Sequence, residues 1–458
     1  MISGSLTLAT TMVEGRLLGP DRDFRGVSID TRQLAEGELF VALRGDRFDG
    51  HAFVGDAQEK GAVGAVVEQV DGCGLPQIDV ANSRAALGRL SRRWRELFDL
   101  PVIGVTGSNG KTTVKEMLAS IFSCVGPILA THGNLNNDIG VPLTLLRLAA
   151  GHRHAVIEMG ANHFGEIAYL TSLARPSVGV ITNAAAAHLE GFGDIKGVAR
   201  AKGELIEGLP QDGTAIINAD DDFAPVWQGL AGERPVLTFA READADVRAR
   251  EVKPLTGNEC PGSNFRLTCP HGERSIRLPL AGLHNVSNAL AASASALAAG
   301  ADLDAVAEGL GRIKAVGGRL DLIERADGVR VVDDTYNANP SSMQVAMDFV
   351  CDLGGPAWLV LGDMGELGDE AGSLHAVTGE QAKAKGFERL FTVGSLAARA
   401  AETFGDGAEA HATVDDLITS LENKLEPGVT VLVKASRRMR FEAVVEALTD
   451  ACLAKARG

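Results

Sequence analysis

The feature that most restricts the fold is a regular alternation of short apolar runs with longer helical stretches from residue 99 onward. This alternation is typical of parallel sheets covered by helices, so it predicts an α/β protein. The first strands are predicted at 101–106 (PVIGVT), 154–160 (HAVIEMG), 178–183 (VGVITN), 214–220 (TAIINAD) and 235–240 (PVLTFA). A second set follows at 330–336 (RVVDDTY), 357–363 (AWLVLGD), 389–394 (RLFTVG) and 429–436 (VTVLVKAS).

The pattern divides the 458 residues into three predicted domains. Residues 1–98 form a smaller mixed α/β domain, with strands within 37–43 and 61–70 and an arginine-rich helix over 83–98. Residues 99–315 form a central domain with a mostly parallel sheet, in which 245–280 reads as an antiparallel appendage and 285–300 as an alanine-rich helix. Residues 316–458 form a second doubly wound, Rossmann-like unit, with a helix after Pro340.

Composition excludes several classes of protein. A formal charge of −16 argues against coating nucleic acid, although a local pocket could still bind a small anion. The six cysteines include no CxxC pair, which argues against a zinc ribbon or a disulfide framework and favours a reducing cytoplasm. No apolar run approaches 18 residues and the N-terminus has no signal-peptide pattern, so we expect no membrane span.

Residues 106–113, TGSNGKTT, lie between a predicted strand and a predicted helix. Backbone N–H groups in such a loop bind polyphosphate, so we expect a nucleotide at Thr106, Gly107, Ser108, Asn109, Gly110, Lys111, Thr112 and Thr113. Lys111 would reach the outer phosphates and the Thr112 hydroxyl would bind Mg²⁺. The loop is a variant, since Val105 stands where the usual pattern has its first glycine. The alternative is a simple glycine turn; a GTPase is disfavoured because no NKxD-type guanine reader follows.

Polar residues also stand near the ends of the next strands, where ligands bind in open α/β sheets. Glu158 ends one predicted strand, His188 follows another, and Lys202 lies on the helical stretch 198–209. Their ordinary roles would be a solvated carboxylate, a packed imidazole and a surface ammonium, whereas together the first two favour a metal site. The segment 131–146, THGNLNNDIGVPLTLL, is either an Asx-rich loop or a source of amide groups for a pocket.

Six ordered motifs resemble the Mur ligase family, which also includes folylpolyglutamate synthetases. They are TGSNGKTT, EMG (158–160), TNAAAAH (182–188), AKGEL (201–205), GLHNVSNALAA (282–292) and GGRLD (317–321). Residues 333–343 and 361–375 resemble the branch that adds D-alanyl-D-alanine to a UDP-MurNAc-tripeptide, and 27–51 resembles the uridine-nucleotide domain of that pathway. Asn339-Pro340-Ser341 stands where diaminopimelate-adding relatives have DNPR, and Ala435 replaces the usual glycine.

The resemblance implies an ATP-dependent amide ligase. ATP would phosphorylate the tripeptide carboxylate, and D-alanyl-D-alanine would displace phosphate from that acyl phosphate to give a peptidoglycan precursor. Domains 1–98, 99–315 and 316–458 would bind the UDP-sugar, ATP and the incoming dipeptide. A relative that adds another amino acid or dipeptide, or a nucleotide-binding scaffold without turnover, remains the alternative, and a monomer is expected.

The resemblance also implies a role for each candidate residue. Two Mg²⁺ ions would be held by Thr112 with Glu158 and by His188, beside a carbamate formed from CO₂ on Lys202. The remaining nucleotide contacts would be Asn285 and Asn288 (adenine), Arg319 (γ-phosphate) and Asp334 (ribose). The dipeptide side would be Tyr336, Asn337, Asn339, Ser436 and Arg437, and the uridine side Ser28, Asp30, Thr31, Arg32, Asp49, Gly50 and His51. Helix caps, turns and a surface arginine are the alternative roles for these residues.

Overall fold

The structure is a computed structural model that describes residues 1–45, 48–255, 262–315 and 317–455, with side chains up to 449. Three parts of the sequence predictions lie outside the described residues. They are residues 46–47 of the uridine-domain motif, 256–261 of the antiparallel segment, and 316 and 456–458 of the third domain. No helix among the described residues is long and apolar enough to span a membrane.

The N-terminal part contains a strand pair and a mixed sheet. Strands β1 (Ser3–Ser5) and β3 (Asp23–Arg25) pair antiparallel. A sheet in the order β2-β7-β6-β5-β4 is parallel except for β2 against β7. Its strands are β2 (Arg16–Leu18), β4 (Val27–Ser28), β5 (Leu39–Val41), β6 (Gly64–Val67) and β7 (Gln77–Asp79). The helices are α1 (Leu6–Val13), α2 (Val54–Glu59) and α3 (Ser83–Arg95), and a 3-10 turn spans Gly50–Phe53.

Nine strands of the described chain form the central sheet, in the order β16-β15-β14-β13-β12-β11-β8-β10-β9. They are β8 (Val102–Thr106), β9 (Ile128–Ala130), β10 (His154–Glu158), β11 (Val178–Ile181), β12 (Thr214–Asn218), β13 (Val236–Ala240), β14 (Val247–Pro254), β15 (Ser263–Cys269) and β16 (Gly272–Leu278). The helices are α4 (Lys111–Ser123), α5 (Gly140–Leu145), α6 (Glu166–Ala174), α7 (Leu189–Phe192), α8 (Ile195–Glu207), α9 (Ala224–Ala231), α10 (Leu283–Ala298) and α11 (Leu303–Arg312).

Strand β8 lies at the switch point of this sheet. All five of its residues are buried, as a parallel strand covered by helices requires. It pairs parallel with β10 on one side and with β11 on the other. The connections that follow these strands diverge at the carboxyl end of β8, which is where open α/β sheets bind ligands. The prediction of an antiparallel appendage is half right. Strands β14 to β16 are antiparallel to one another, but β14 also pairs parallel with β13, so this segment extends the central sheet.

In the described residues the C-terminal part forms a six-stranded sheet in the order β17-β18-β22-β19-β20-β21. It is parallel except for the edge strand β17 against β18. The strands are β17 (Asp321–Glu324), β18 (Arg330–Asp334), β19 (Ala357–Gly362), β20 (Arg389–Val393), β21 (Ala408–His411) and β22 (Thr430–Lys434). The helices are α12 (Pro340–Leu353), α13 (Ala371–Ala384), α14 (Ala397–Phe404), α15 (Val414–Glu422) and α16 (Glu442–Lys455), with 3-10 turns at Gly368–Glu370 and Arg437–Met439. The α/β class and the doubly wound C-terminal unit are confirmed.

The N-terminal part and the central sheet share an apolar core. Leu146 of the central part is buried in the same cluster as Ile2 and Leu6, and the Ile2 N–H donates to the Leu146 carbonyl at 2.7 Å. Helix α3 reinforces the contact, because Trp94 Nε1 donates to the Leu148 carbonyl at 3.2 Å. Burial of this kind removes apolar surface from water, which stabilises the contact between these two parts.

Candidate active site

The loop between β8 and α4 is shaped by two glycines. Gly107 and Gly110 have φ of +147° and +81°, a region that side chains rarely adopt. A methyl group on Gly107 would stand 1.9 Å from Thr182 Oγ1, and one on Gly110 would stand 2.4 Å from Asn288 Oδ1. Only glycine therefore fits either position, and the loop turns directly into the N-terminus of α4, where backbone N–H groups attract anions.

Glu158, at the end of β10, is held against the start of α4. Its side chain is 1% exposed. Glu158 Oε2 accepts a hydrogen bond from Thr112 Oγ1 at 2.8 Å, and Oε1 accepts one from Asn136 Nδ2 at 2.8 Å. A buried carboxylate and a hydroxyl thus meet beside the loop, which is the oxygen set that Mg²⁺ prefers.

Lys111 lies folded over the loop. Its Nζ donates to the carbonyls of Gly107 at 2.6 Å and Ser108 at 3.1 Å. Burial lowers the pKa of Lys111 to about 8, with nearby Arg319 acting in the same direction and Glu158 opposing it. A bound polyphosphate would neutralise the positive charge that Lys111 and Arg319 bring to the loop.

Arg319 reaches this loop from the chain that leads into the six-stranded sheet. Arg319 Nη2 donates to Thr112 Oγ1 at 2.9 Å, and the guanidinium lies 4.1 Å from the centre of the Tyr336 ring. Arg319 Nε is buried and has no hydrogen-bond partner among the described residues. A buried donor left unpaired in this way is suited to an anionic ligand, because an unsatisfied donor is costly.

His188 and Lys202 both lie beside the Phe192 ring. His188 has a left-handed backbone (φ +56°), and its Nδ1 contacts the carboxylate of Glu366, from the loop after β19. Lys202, on α8, is 1% exposed, and its Nζ lies 5.4 Å from the centre of the Phe192 ring. Burial, and secondarily the charge of Lys111, lower the pKa of Lys202 to about 7. The alternative role of Lys202 as a surface ammonium is therefore excluded, because the side chain is buried.

The predicted adenine and ribose residues also lie at the cleft. Neither asparagine caps α10, because Gly282 is the N-cap of that helix. Asn285 Nδ2 donates to the Ala281 carbonyl, and the Asn288 side chain faces Gly110 of the loop. Asp334, at the end of β18, is 8% exposed and forms an ion pair with Lys434. Burial raises the pKa of Asp334, against the lowering effect of Lys434.

The predicted dipeptide residues are only partly brought together. Tyr336, Asn337 and Asn339 border the same cavity as the phosphate loop. The Arg437 guanidinium lies 5.7 Å from the Tyr336 ring centre and forms an ion pair with Glu442, and Ser436 Oγ is buried without a partner among the described residues.

The predicted uridine residues lie on the N-terminal part, and none of them borders this cavity in the described structure. Asp30 forms a turn in which Oδ1 accepts from Arg32 N and Nε, and these hydrogen bonds lower the pKa of Asp30 to about 2. Asp49 Oδ1 caps the turn at Gly50–Phe53 by accepting from His51 N at 2.9 Å. Ser28 Oγ donates to the Asp30 carbonyl, and the Thr31 carbonyl accepts from Lys60. The turn and cap roles named as alternatives for these residues are therefore present.

A cavity of about 1390 Å³ lies between the nine-stranded and the six-stranded sheets. Its walls contain groups that sequence reasoning left open or missed. Asn134, Asn136, Asn137 and Asp138 border it, so the 131–146 segment does supply amide groups to a pocket. His284, Lys434 and Ser341 border it as well, and Glu366 contacts His188. His284 stands within the GLHNVSN motif and Glu366 within the 361–375 segment, but Glu366 lies in an irregular loop, so no local pattern indicated that it would contact His188.

Together the loop, the hydroxyl–carboxylate pair and an arginine from a second sheet define an enzyme that binds a nucleoside polyphosphate and transfers a phosphoryl group.

Comparison with known proteins makes this more specific. Sequence models match at residues 23–95 (Mur ligase family, catalytic domain), 105–296 (Mur ligase middle domain) and 318–437 (Mur ligase, glutamate ligase domain). The chain is 45% identical to the UDP-N-acetylmuramoyl-tripeptide–D-alanyl-D-alanine ligase of Escherichia coli over 98% of this chain and 99% of that one. It belongs to the Mur ligase family, the ATP-dependent enzymes that form amide bonds.

Solved structures agree. MurF from Acinetobacter baumannii superposes with a TM-score of 0.92 at 36% identity, covering 98% of this chain and 99% of that one. MurF ligase from Thermotoga maritima, solved in complex with ADP, gives a TM-score of 0.82 at 27% identity, covering 94% and 98%. The three-part α/β architecture and the use of ATP predicted from the sequence are confirmed.

Proposed function

We propose that this chain joins D-alanyl-D-alanine to a UDP-MurNAc-tripeptide through an acyl phosphate, giving a pentapeptide precursor of peptidoglycan, ADP and phosphate. The E. coli relative carries this activity in its name and aligns over nearly the whole chain. The observation that best supports the chemistry is the contact of Arg319 with Thr112, which joins two sheets at the phosphate loop. Such a product would serve the cell wall, and through it cell shape and division.

Each part of the chain has a proposed substrate. Residues 1–98 would bind the UDP-sugar end, 99–315 would bind ATP, and 316–458 would bind the dipeptide. Nucleotide contacts beyond the loop would be Asn285 and Asn288 at adenine, Asp334 at ribose and Arg319 at the γ-phosphate. ATP and a UDP-linked peptide are cytoplasmic metabolites, so the proposal includes that location. It also includes the monomer expected from the sequence.

The chemistry must overcome like charge. A carboxylate near a triphosphate is repelled by about 1 kcal/mol per charge pair at ~4 Å in water, and by several-fold more in a partly dehydrated cleft. The buried Thr112–Glu158 pair fits a magnesium ion, and His188 is the proposed residue for a second one. Magnesium would supply charge neutralisation. This chain's own cations, Lys111 and Arg319, would orient the phosphates and stabilise the charge that develops on them.

Lys202 is proposed to carry a carbamate made from CO₂. Carbamate formation needs a neutral amine, and the pKa of about 7 supplies a large neutral fraction near neutral pH. Burial causes this shift, and conversion to an anion would remove the buried positive charge beside Lys111.

A substrate panel tests the function. ATP-dependent product formation would be measured with UDP-MurNAc-tripeptide and with D-alanyl-D-alanine, other D-dipeptides and single amino acids. We expect ADP release to require both the UDP-tripeptide and the dipeptide. Efficient use of a single amino acid would overturn the dipeptide assignment, and ADP release independent of both acceptors would overturn ligase activity.

A further inference from the structure

Three side chains, one from the phosphate loop and two from the start of α12, form a closed ring of hydrogen bonds. Asn109 Nδ2 donates to Ser341 Oγ at 2.8 Å, Ser341 Oγ donates to Asn339 Oδ1 at 2.9 Å, and Asn339 Nδ2 donates to Asn109 Oδ1 at 2.9 Å. Each member gives one hydrogen bond and receives one. Hydrogen bonds arranged in sequence polarise one another, so the ring is stronger than isolated pairs.

Both sides of the ring are held firmly. The Asn109 backbone is fixed to the end of β11, because Asn109 N donates to Asn183 Oδ1 at 3.0 Å and Thr182 Oγ1 donates to the Asn109 carbonyl at 2.6 Å. Asn339 is 8% exposed and caps α12, accepting from Ser342 N at 2.8 Å. The ring therefore joins two rigid surfaces rather than two mobile side chains.

Asn109 occupies a special position in the loop. It stands between Gly107 and Gly110, the residues whose left-handed backbones shape the phosphate site. Asn339 and Ser341 follow β18 on the other sheet. Asn109 can contact Asn339 and Ser341 only while the six-stranded sheet lies against the loop. Closure of that sheet would therefore act directly on the loop that surrounds the phosphates.

We propose that Ser341 is a positioning residue, which acts through Asn109 to hold the phosphate loop in its working shape when the C-terminal sheet closes. This inference rests on the proposed function for its kinetic consequences. It also gives the Asn339 amide a partner within the protein, in addition to any contact with the dipeptide. By reciprocity, loss of the ring weakens the coupling between nucleotide and dipeptide in both directions.

The chain offers a matched control in the neighbouring serine. Ser342 Oγ accepts from Asn339 N at 3.1 Å and donates to the Asn339 carbonyl at 3.0 Å, which completes the helix cap without touching Asn109. Ser341→Ala should lower kcat about five- to tenfold, the value of one net hydrogen bond, and leave Tm unchanged. Ser342→Ala should lower Tm through the cap and leave kcat within twofold. Ser341→Thr keeps the hydroxyl and should restore kcat.

A double-mutant cycle and solution scattering complete the test. Ser341→Ala should add nothing to Asn109→Ala, because the ring is already open in the latter. With magnesium and a non-hydrolysable ATP analogue, Ser341→Ala should show a larger radius of gyration by small-angle X-ray scattering than the wild type. Additive effects, equal loss of kcat in the two serine variants, or an unchanged radius would overturn the proposal. Scattering needs no turnover, so it tests the ring even if the wild-type protein fails to ligate the proposed substrates.

Discussion

Removing the Arg319 side chain should lower ligation far more than it lowers stability. The guanidinium donates to Thr112 Oγ1 at 2.9 Å and lies 4.1 Å from the Tyr336 ring. When ATP binds, the guanidinium would exchange the Thr112 hydroxyl for the γ-phosphate, and a hydrogen bond from a charged donor contributes about 1.5 to 3 kcal/mol. Since every 1.4 kcal/mol is tenfold, we expect Arg319→Ala to reduce kcat/KM by about 10- to 150-fold.

The assay is ATP-dependent formation of the pentapeptide product, measured at varied ATP and dipeptide concentrations. Arg319→Lys is the matched control, since it keeps the charge and loses the planar fork that permits several phosphate contacts. It should recover part of the loss. Thermal denaturation of both variants should stay within a few degrees of the wild type, because Arg319 precedes β17 and its hydrogen bond to Thr112 crosses between surfaces that are already formed. A kcat/KM within threefold of the wild type for Arg319→Ala would refute the reasoning.

Lys202→Ala should abolish ligation, and short-chain carboxylic acids should restore part of it; absence of rescue would argue against a carbamate. Since the pKa of Lys202 is about 7, its neutral fraction grows as pH rises through 7, so activity at limiting CO₂ should rise over the same range, and a flat pH profile would contradict this. Gly110→Ala should weaken nucleotide binding at least tenfold by calorimetry, because its φ is +81° and its methyl would stand 2.4 Å from Asn288; an unchanged affinity would count against the loop geometry. Ala435→Gly should lower the free energy of unfolding by about 1 to 2 kcal/mol in urea, because the buried Ala435 methyl fills the space left by Gly362; unaltered stability would show that the methyl is dispensable.

Much of the fold follows from local pattern. The inner strands of the two parallel sheets were predictable because each is a short apolar run between helical stretches, and buried parallel strands need no alternation. The edge strands β9, β17 and β21 escaped prediction. All three are short and only partly buried, and β17 and β21 carry charged residues such as Asp321 and Glu409. The pairing of β13 with β14 was also beyond local pattern, because strand neighbours depend on the whole sheet.

In the candidate site, too, contacts at one sheet edge were easier to predict than contacts between the two sheets. Thr112 and Glu158 were predictable because motifs at strand ends meet at one sheet edge, and the structure joins them by a 2.8 Å hydrogen bond. Contacts across the two sheets were harder to predict. Ser341 and Glu366 lie in a helix start and an irregular loop, where polar residues ordinarily serve as caps or contact water. Only the relative placement of two sheets shows what these side chains touch.

The three parts of the molecule are joined by two different kinds of contact, and the first is the apolar core around Leu146. The first two parts are held together by apolar packing, whereas the residues that join the last sheet to the phosphate loop, including Arg319 and Asn339, are polar. Polar groups can bind water when such a contact opens, which apolar side chains cannot do. Closure of the C-terminal sheet over the phosphate loop would then immobilise one body against the other two parts, so the orientational entropy lost at each turnover would be that of one body rather than two.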